Sequence, residues 1–240
     1  MKKLILATAI MLSAAAMQAR TLIVYYSFTN NVERIVGELR TLTDADVIEV
    51  EPAEKGLDYA ADNYAIGSAQ IAAIRNNPDD AASYPAVDAV DVNLSQYSTV
   101  IIGAPLWWSQ MAAPLQSFLF QHGREMAGKN IGLIVSSASS GISGVESDAK
   151  RLIPEGRFLS PSLWIRSSQT SDAASLLTAW LGAIDYDNLS AGIPQLPSDR
   201  ESRFTVYSAS GVRVLDDAWS TSSLPSGLYI VNGRKTLISK

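Results

Sequence analysis

Three stretches of this chain carry residue types that could do chemistry. The first is Ser27-Phe28-Thr29-Asn30-Asn31-Val32, which offers two hydroxyls, side-chain amides and a run of backbone N–H groups just before a helical pattern begins. The start of a helix attracts anions through its free N–H groups and its macrodipole. No lysine or arginine occurs from residue 21 to 33, so an anion held there is held by neutral donors. The bland alternative is that Ser27 and Thr29 only cap the helix. The second stretch is Gly103-Ala104-Pro105-Leu106-Trp107-Trp108-Ser109. Paired indoles in a loop fit a planar aromatic ligand, by stacking and by area buried; the alternative is a core or dimer contact. The third is Ser136-Ser137-Ala138-Ser139-Ser140-Gly141, where small side chains let backbone amides approach a flat polar heterocycle, or simply make a flexible loop.

The elements that must position these stretches follow from hydrophobic patterning. Apolar, β-prone runs occur at 21–26, 47–50, 98–104, 131–136 and 159–165, the last broken at Pro161. Between them lie amphipathic stretches with helical spacing: Val32, Ile35, Val36 and Leu39; Leu115, Phe118 and Leu119, stopped near Gly123; Val145 to Leu152; and Ala173 to Ile184. Strands that are apolar on both faces and alternate with helices predict a parallel sheet covered on both sides. Such sheets bind ligands beyond the carboxyl ends of their strands, where the strand order reverses. All three stretches fall on that one edge. Residues 51–97 form a long connection that is not all loop, because Tyr59, Tyr64, Ile66, Ile71 and Ile74 suggest helix.

Composition removes several classes of function. The 240 residues are 47% hydrophobic and 18% charged, which gives ample material for a core. Cysteine is absent and His122 is the single histidine, so disulfides, thiol catalysis and multi-histidine metal sites are excluded. The formal net charge is −5, which argues against general binding to nucleic acid. His122 reads as a helix-end residue and Asp79-Asp80 as a solvated turn. Asp216-Asp217 reads as surface, and Asp44 and Asp46 lack a carboxylate partner at a useful spacing.

Residues 1–19 read as a secretory signal peptide. Lys2 and Lys3 precede an apolar stretch of 13 residues, Leu4 to Ala16, and small residues follow up to Ala19. Spanning a bilayer needs about 20. Cleavage after Ala16 and cleavage after Ala19 are both open. The expected location is therefore outside the cytoplasm: periplasm, cell surface or medium. Residues 20–189 form the α/β domain. Residues 190–200 form a linker, and residues 201–240 form a small all-β module with a hairpin turn at Asn232-Gly233. Residues 20–199 hold 11 basic and 21 acidic residues, whereas 200–240 hold 6 and 3, so the charge changes sign near residue 200.

Residues 21–186 resemble the flavodoxin-like FMN-binding family. The likeness rests on Tyr25-Tyr26-Ser27-Phe28-Thr29-Asn30-Asn31, on Ile102-Gly103-Ala104-Pro105-Leu106-Trp107-Trp108 and on the Ser-rich third loop. The resemblance implies a doubly wound, five-stranded parallel sheet of order 2-1-3-4-5. It also implies an FMN phosphate on Ser27, Thr29, Asn30, Asn31, Val32 and loop amides. The flavin ring is then expected between Pro105, Leu106, Trp107 and Trp108 on one side and Ser136, Ser137, Ala138 and Gly141 on the other. Two departures matter. Asn30-Asn31-Val32 stands where the family usually has Gly-Asn-Thr, so one hydroxyl is missing. A lost hydrogen bond to a charged group costs about 1.5–3 kcal/mol, about ten- to a hundredfold in affinity. Ala138-Ser139-Ser140 stands where the family often has Gly-Gly, which adds Cβ atoms beside the ring. The tail resembles the C-terminal sorting domain of Bacteroidetes type IX secretion substrates, through Val206-Tyr207-Ser208, Gly211-Val212-Arg213-Val214 and Leu224 to Gly233.

These readings predict an exported carrier that moves electrons through FMN, with no catalytic acid or base and no metal. An acidic body disfavours added negative charge on a bound ring and so lowers its potential. The partner is an unidentified redox protein or a small aromatic molecule, not nucleic acid. Two alternatives stay open: an FMN-dependent NAD(P)H:quinone or nitro-reductase, and a binding module that has lost its flavin.

Overall fold

The computed structural model describes residues 20–191, 204–208, 210–218, 223–231 and 234–238. The signal peptide expected at 1–19 and most of the linker expected at 190–200 lie outside the described residues.

The α/β domain is built on strands β1 (Arg20–Tyr25), β2 (Asp46–Glu49), β3 (Tyr97–Trp107), β4 (Gln110–Met111), β5 (Asn130–Ser137), β6 (Arg157–Phe158) and β7 (Leu163–Arg166). The order is β2-β1-β3-β5, with β6 and β7 both on the far side of β5. All these pairings are parallel except β3 with β4. Since β6 and β7 share one position, this is the predicted five-strand order. The break between them follows from Pro161, which has no N–H to give a ladder.

Side-chain alternation divides the core in two. Leu22, Val24, Val100, Ile102, Leu133 and Val135 face one side, where helices α3 (Ala113–His122) and α4 (Ser143–Leu152) bury Leu115, Phe118, Val145 and Ala149. Ile23, Tyr25, Ile101 and Ile134 face the other, against α1 (Asn31–Leu42) and α5 (Ala173–Ala183). Successive strand residues point to opposite faces, so both helix layers are fixed by one sheet register. α1 buries Val32, Ile35, Val36 and Leu39, at about 1.5–3 kcal/mol each. A charge at Ile35 would break that contact. A short helix, α6 (Tyr186–Ser190), follows α5, and the buried Tyr186 hydroxyl donates to Thr21 Oγ1 at 3.0 Å.

The long connection between β2 and β3 is an excursion closed at its base. Pro52 bridges Val87, Ala53 N–H donates to Ala86 O at 3.0 Å, and Asp88 N–H donates to Glu51 O at 2.9 Å. Lys55 adds ion pairs to Glu51 and Asp88. Helix α2 (Ala61–Asn76) runs within this excursion and anchors through Ile71 and Ile74, which pack with Ala113 and with Trp107. Its first turn is not regular: Asp62, Asn63 and Tyr64 all have positive φ.

A separate antiparallel sheet is formed by β8 (Phe204–Ser208), β9 (Arg213–Ala218), β10 (Gly227–Val231) and β11 (Arg234–Ile238), in the order β11-β10-β8-β9. Val206, Leu224, Val231 and Ile238 form its small core. Asn232 and Gly233 lie outside the described residues; on either side, Val231 pairs with Arg234, the spacing of a two-residue hairpin.

Candidate functional site

A cavity of about 370 Å³ opens at the carboxyl edge of the parallel sheet, over the point between β1 and β3 where the strand order reverses. That volume is within the range of small-molecule sites. All three sequence stretches reach it.

The loop after β1 contributes Ser27, Phe28, Thr29, Asn31 and Val32. Asn30 does not line the cavity; it is the residue that makes the turn. Its φ of 59° places it in the left-handed region, where glycine is easiest and asparagine is among the few side chains readily tolerated. Ser27 Oγ accepts the N–H of Glu33 at 3.2 Å, so it does cap α1. Asn31 Nδ2 donates to Thr29 Oγ1 at 3.1 Å, which uses one of its two N–H donors within the loop. The hydroxyl protons of Ser27 and Thr29 remain available. So do the N–H groups of Asn31 and Val32, which lie in the first helical turn and have no intrahelical acceptor. Val32 is 2% exposed and its side chain belongs to the α1 core, so its N–H is what it can offer a ligand.

The two tryptophans have separate roles. Trp107 is the centre of an aromatic cluster, edge-on to Tyr26 at 5.6 Å and to Phe28 at 6.1 Å, and 5.0 Å from Tyr59. It takes the core role, while its edge still lines the cavity with Pro105 and Leu106. Trp108 is 46% exposed and turned 80° from Trp107, so its ring is free for a planar partner. Both indoles expected at the ring thus line the cavity, Trp108 as an exposed side chain and Trp107 from within the aromatic cluster.

The third loop reaches the cavity through Ser136, Ser137 and Ala138 only. Ser137 Oγ donates to Ser140 O and accepts Trp164 Nε1–H, both at 2.9 Å, and so closes the loop on itself. Ser139, Ser140 and Gly141 are exposed and do not line the cavity. Gly141 thus does not line the cavity, and of Ala138, Ser139 and Ser140, expected to add Cβ atoms beside the ring, only Ala138 does.

Four lining residues went unnoticed in the sequence: Tyr59, Tyr64, Gly67 and Ser167. Phe28, quoted within the first motif, also lines the wall. Ser167 follows β7, a fourth strand ending at the same edge, and that position was available as a signal. The other three come from the β2–β3 excursion. Gly67 lets α2 ride directly over the indoles: a Cβ there would lie 3.2 Å from the Trp108 ring and 3.3 Å from the Trp107 ring.

No lining residue carries a formal charge. The lining phenol of Tyr59 and the adjacent phenol of Tyr26 are both pushed up, chiefly by burial. What the cavity offers is neutral: hydroxyl and amide donors at the α1 end, and aromatic surface at the Trp108 end. Among the described residues no group of three or more acidic, histidine or cysteine side chains could hold a metal, and no helix is long and apolar enough to cross a membrane. His122 Nδ1 lies 2.9 Å from Glu125 Oε1, and its ring packs on Phe118, away from the cavity.

Comparison with known proteins agrees with this architecture. A flavodoxin family model matches residues 20–184. Among solved structures, a candidate flavoprotein from Bacteroides eggerthii DSM 20697 is 21% identical, with a TM-score of 0.56 over 70% of this chain and 98% of that one. A second from Bacteroides uniformis ATCC 8492 is 22% identical, with a TM-score of 0.53 over 67% and 98%. A flavoprotein from Lactobacillus acidophilus NCFM, solved in complex with FMN, is 21% identical, with a TM-score of 0.51 over 65% and 99%. No curated protein matches. The β2-β1-β3-β5 order, the cavity at its reversal point and a family match over more than half of the sequence lead to one conclusion: the chain belongs to the flavodoxin family.

Proposed function

We propose that this protein binds FMN in the cavity and works outside the cytoplasm as an electron carrier. The observation that carries the reading is the uncharged cavity itself, with neutral anion donors at one end and a free indole at the other. The donor set fits FMN. Ser27, Thr29 and the N–H groups of Asn31 and Val32 would hold the phosphate. Trp108 and the backbone at Ser136 to Ala138 would hold the ring. FMN, when bound, supplies the oxidation and reduction. The protein orients it, excludes water with Leu106, Trp107 and Tyr59, and contributes no acid or base. The buried Val32 side chain gives no hydroxyl, so the grip on phosphate is about ten- to a hundredfold weaker than with one more charge-assisted hydrogen bond. The FMN complex of the Lactobacillus acidophilus protein, which has the same fold, supports the reading.

Export rests on the sequence of residues 1–19, and the tail's likeness to a sorting domain suggests a surface or extracellular destination. The test is a fluorescence titration of the mature protein with FMN. Saturable quenching is expected at micromolar protein, and its absence removes the proposal. A second reading, an FMN-dependent reductase, is favoured by one observation: Tyr64 and Trp108 are both exposed aromatic residues at the cavity. They would stack a quinone or nitro-aromatic. Rapid reduction of the FMN-loaded protein by NAD(P)H selects the reductase; negligible reduction selects the carrier.

A further inference from the structure

We propose that Asp148 on α4 is the positioning residue that holds Trp108 at the cavity rim. Trp108 and Ser109 form the tip of the β3–β4 hairpin, and both have positive φ, at 47° and 64°. Two-residue tips of this kind ordinarily use Asn-Gly or similar pairs, because bulky residues resist the left-handed region. Only two residue pairs close the hairpin, Leu106 with Met111 and Trp107 with Gln110. So short a ladder does not by itself keep an unfavourable tip in shape.

The rest of the restraint comes from side chains. Among the described residues, β4 has β3 on one side and no strand on the other. Both backbone groups of Met111 are instead taken by buried side chains. Asp148 Oδ2 accepts its N–H at 2.9 Å, and Gln116 Nε2 donates to its carbonyl at 2.7 Å. Arg151 closes the ring by donating to Gln116 Oε1 at 2.8 Å and to Asp148 Oδ1 at 3.2 Å. Asp148 is only 5% exposed, so its hydrogen bond to Met111 is shielded from competing water. One turn earlier on the same helix face, Gly144 receives the tip: a Cβ there would lie 1.8 Å from Ser109 O. Gly144 and Asp148 thus seat the hairpin at two points. Trp108 keeps its exposed pose because the backbone beneath it cannot relax.

The first arm of the test needs no FMN. The full chain is labelled with 5-fluorotryptophan, and the Trp108 ¹⁹F line is identified by its loss in Trp108→Phe. In Asp148→Ala, Met111 N–H loses its acceptor, and the Trp108 line is expected to shift and broaden while those of Trp164 and Trp180 stay in place. In Asp148→Asn the remaining oxygen still accepts that N–H, and the Trp108 line is expected to hold its position although the Arg151 contact is lost. An unmoved Trp108 line in Asp148→Ala overturns the proposal, and so does an Asn variant that moves it as far. A purely structural role would lower the melting temperature without singling out this line. Should Asp148→Ala fail to fold, amide exchange in the wild-type chain decides: Met111 N–H is expected to exchange as slowly as the amides of β5, and exchange as fast as at Trp108 overturns the idea. The second arm rests on the FMN reading and expects at least tenfold weaker FMN binding in Asp148→Ala than in Asp148→Asn. A wild type that refuses FMN defeats that reading and leaves the ¹⁹F result standing.

Discussion

Replacing Trp108 by alanine separates ligand binding from folding. Trp108 is 46% exposed. An indole side chain presents up to about 250 Å², so roughly 100 Å² awaits cover. At about 25 cal/mol per Å², covering all of it with a flat ligand stabilises the complex by about 2.5 kcal/mol, or about seventyfold in affinity. A ligand stacked on one face covers about half, which is still about tenfold. Trp108→Ala is therefore expected to weaken FMN binding by between about tenfold and about seventyfold. The apoprotein should lose only about 1 kcal/mol, because exposed side chains contribute little to the folded state. The assay pairs an FMN titration, read by flavin fluorescence, with a urea unfolding curve of the apoprotein. A dissociation constant within threefold of wild type would show that the ring does not lie against Trp108, and the assignment of the cavity's aromatic end would fall.

Trp107→Ala should give the reverse pattern, with about 2–4 kcal/mol of apoprotein stability lost as the contacts to Tyr26, Phe28 and Tyr59 go; urea midpoints measure this. Asn30→Gly should leave stability unchanged or slightly raised, while Asn30→Ala costs about 1–2 kcal/mol because φ stays near 59°; equal midpoints for the two would contradict the left-handed turn. Gly67→Leu should fill the mouth of the cavity beside both indoles and abolish FMN binding in a chain that still melts cooperatively, as read by titration and circular dichroism. Alkaline pH should destabilise the fold. Burial raises the phenol pKa values of Tyr25, Tyr26, Tyr59, Tyr97 and Tyr186, with Glu49 adding to the shift at Tyr25 and Asp46 at Tyr97. A phenol whose folded pKa lies above its unfolded value of about 10 contributes stability that is present below pH 10 and lost as pH rises further. Lys129 is shifted the other way, down by burial, and opposes this with one group against five. A urea midpoint that stays flat from pH 8 to 11 would refute the sign.

A parallel sheet with helices on both faces was legible because its strands are continuous apolar runs separated by amphipathic stretches, whereas the strand order came with the resemblance to the flavodoxin family. Leu22 and Val24 cannot share a side with Ile23, and that constraint is local. The three loops were legible for the same reason: they follow strands whose direction was already set. Tyr59, Tyr64 and Gly67 were not: Tyr59 and Tyr64 were expected in a helical stretch, but Tyr59 lies in the turn before α2 and Tyr64 in its irregular, left-handed start. Their arrival at the cavity depends on the closure between residues 51–53 and 86–88 and on Ile71 and Ile74 packing beside Trp107, contacts that no local pattern encodes. The tip at Trp108-Ser109 was missed because it contains neither glycine nor asparagine. Its conformation is imposed from α4, a helix more than thirty residues further along the chain. The differing fates of the two indoles were also beyond reach, since adjacent tryptophans look alike until the hairpin turns one of them outward.

The ring of side chains around Met111 has a consequence away from the cavity. The outer rim of a sheet is where a stray extended peptide, or the same segment of another copy, could add itself by taking up open amides and carbonyls. At this corner Asp148 and Gln116 have already claimed both. A visitor would have to displace a buried carboxylate and a buried carboxamide before forming its first bond, so the hairpin can present its indole to solvent without also offering a seam for self-association.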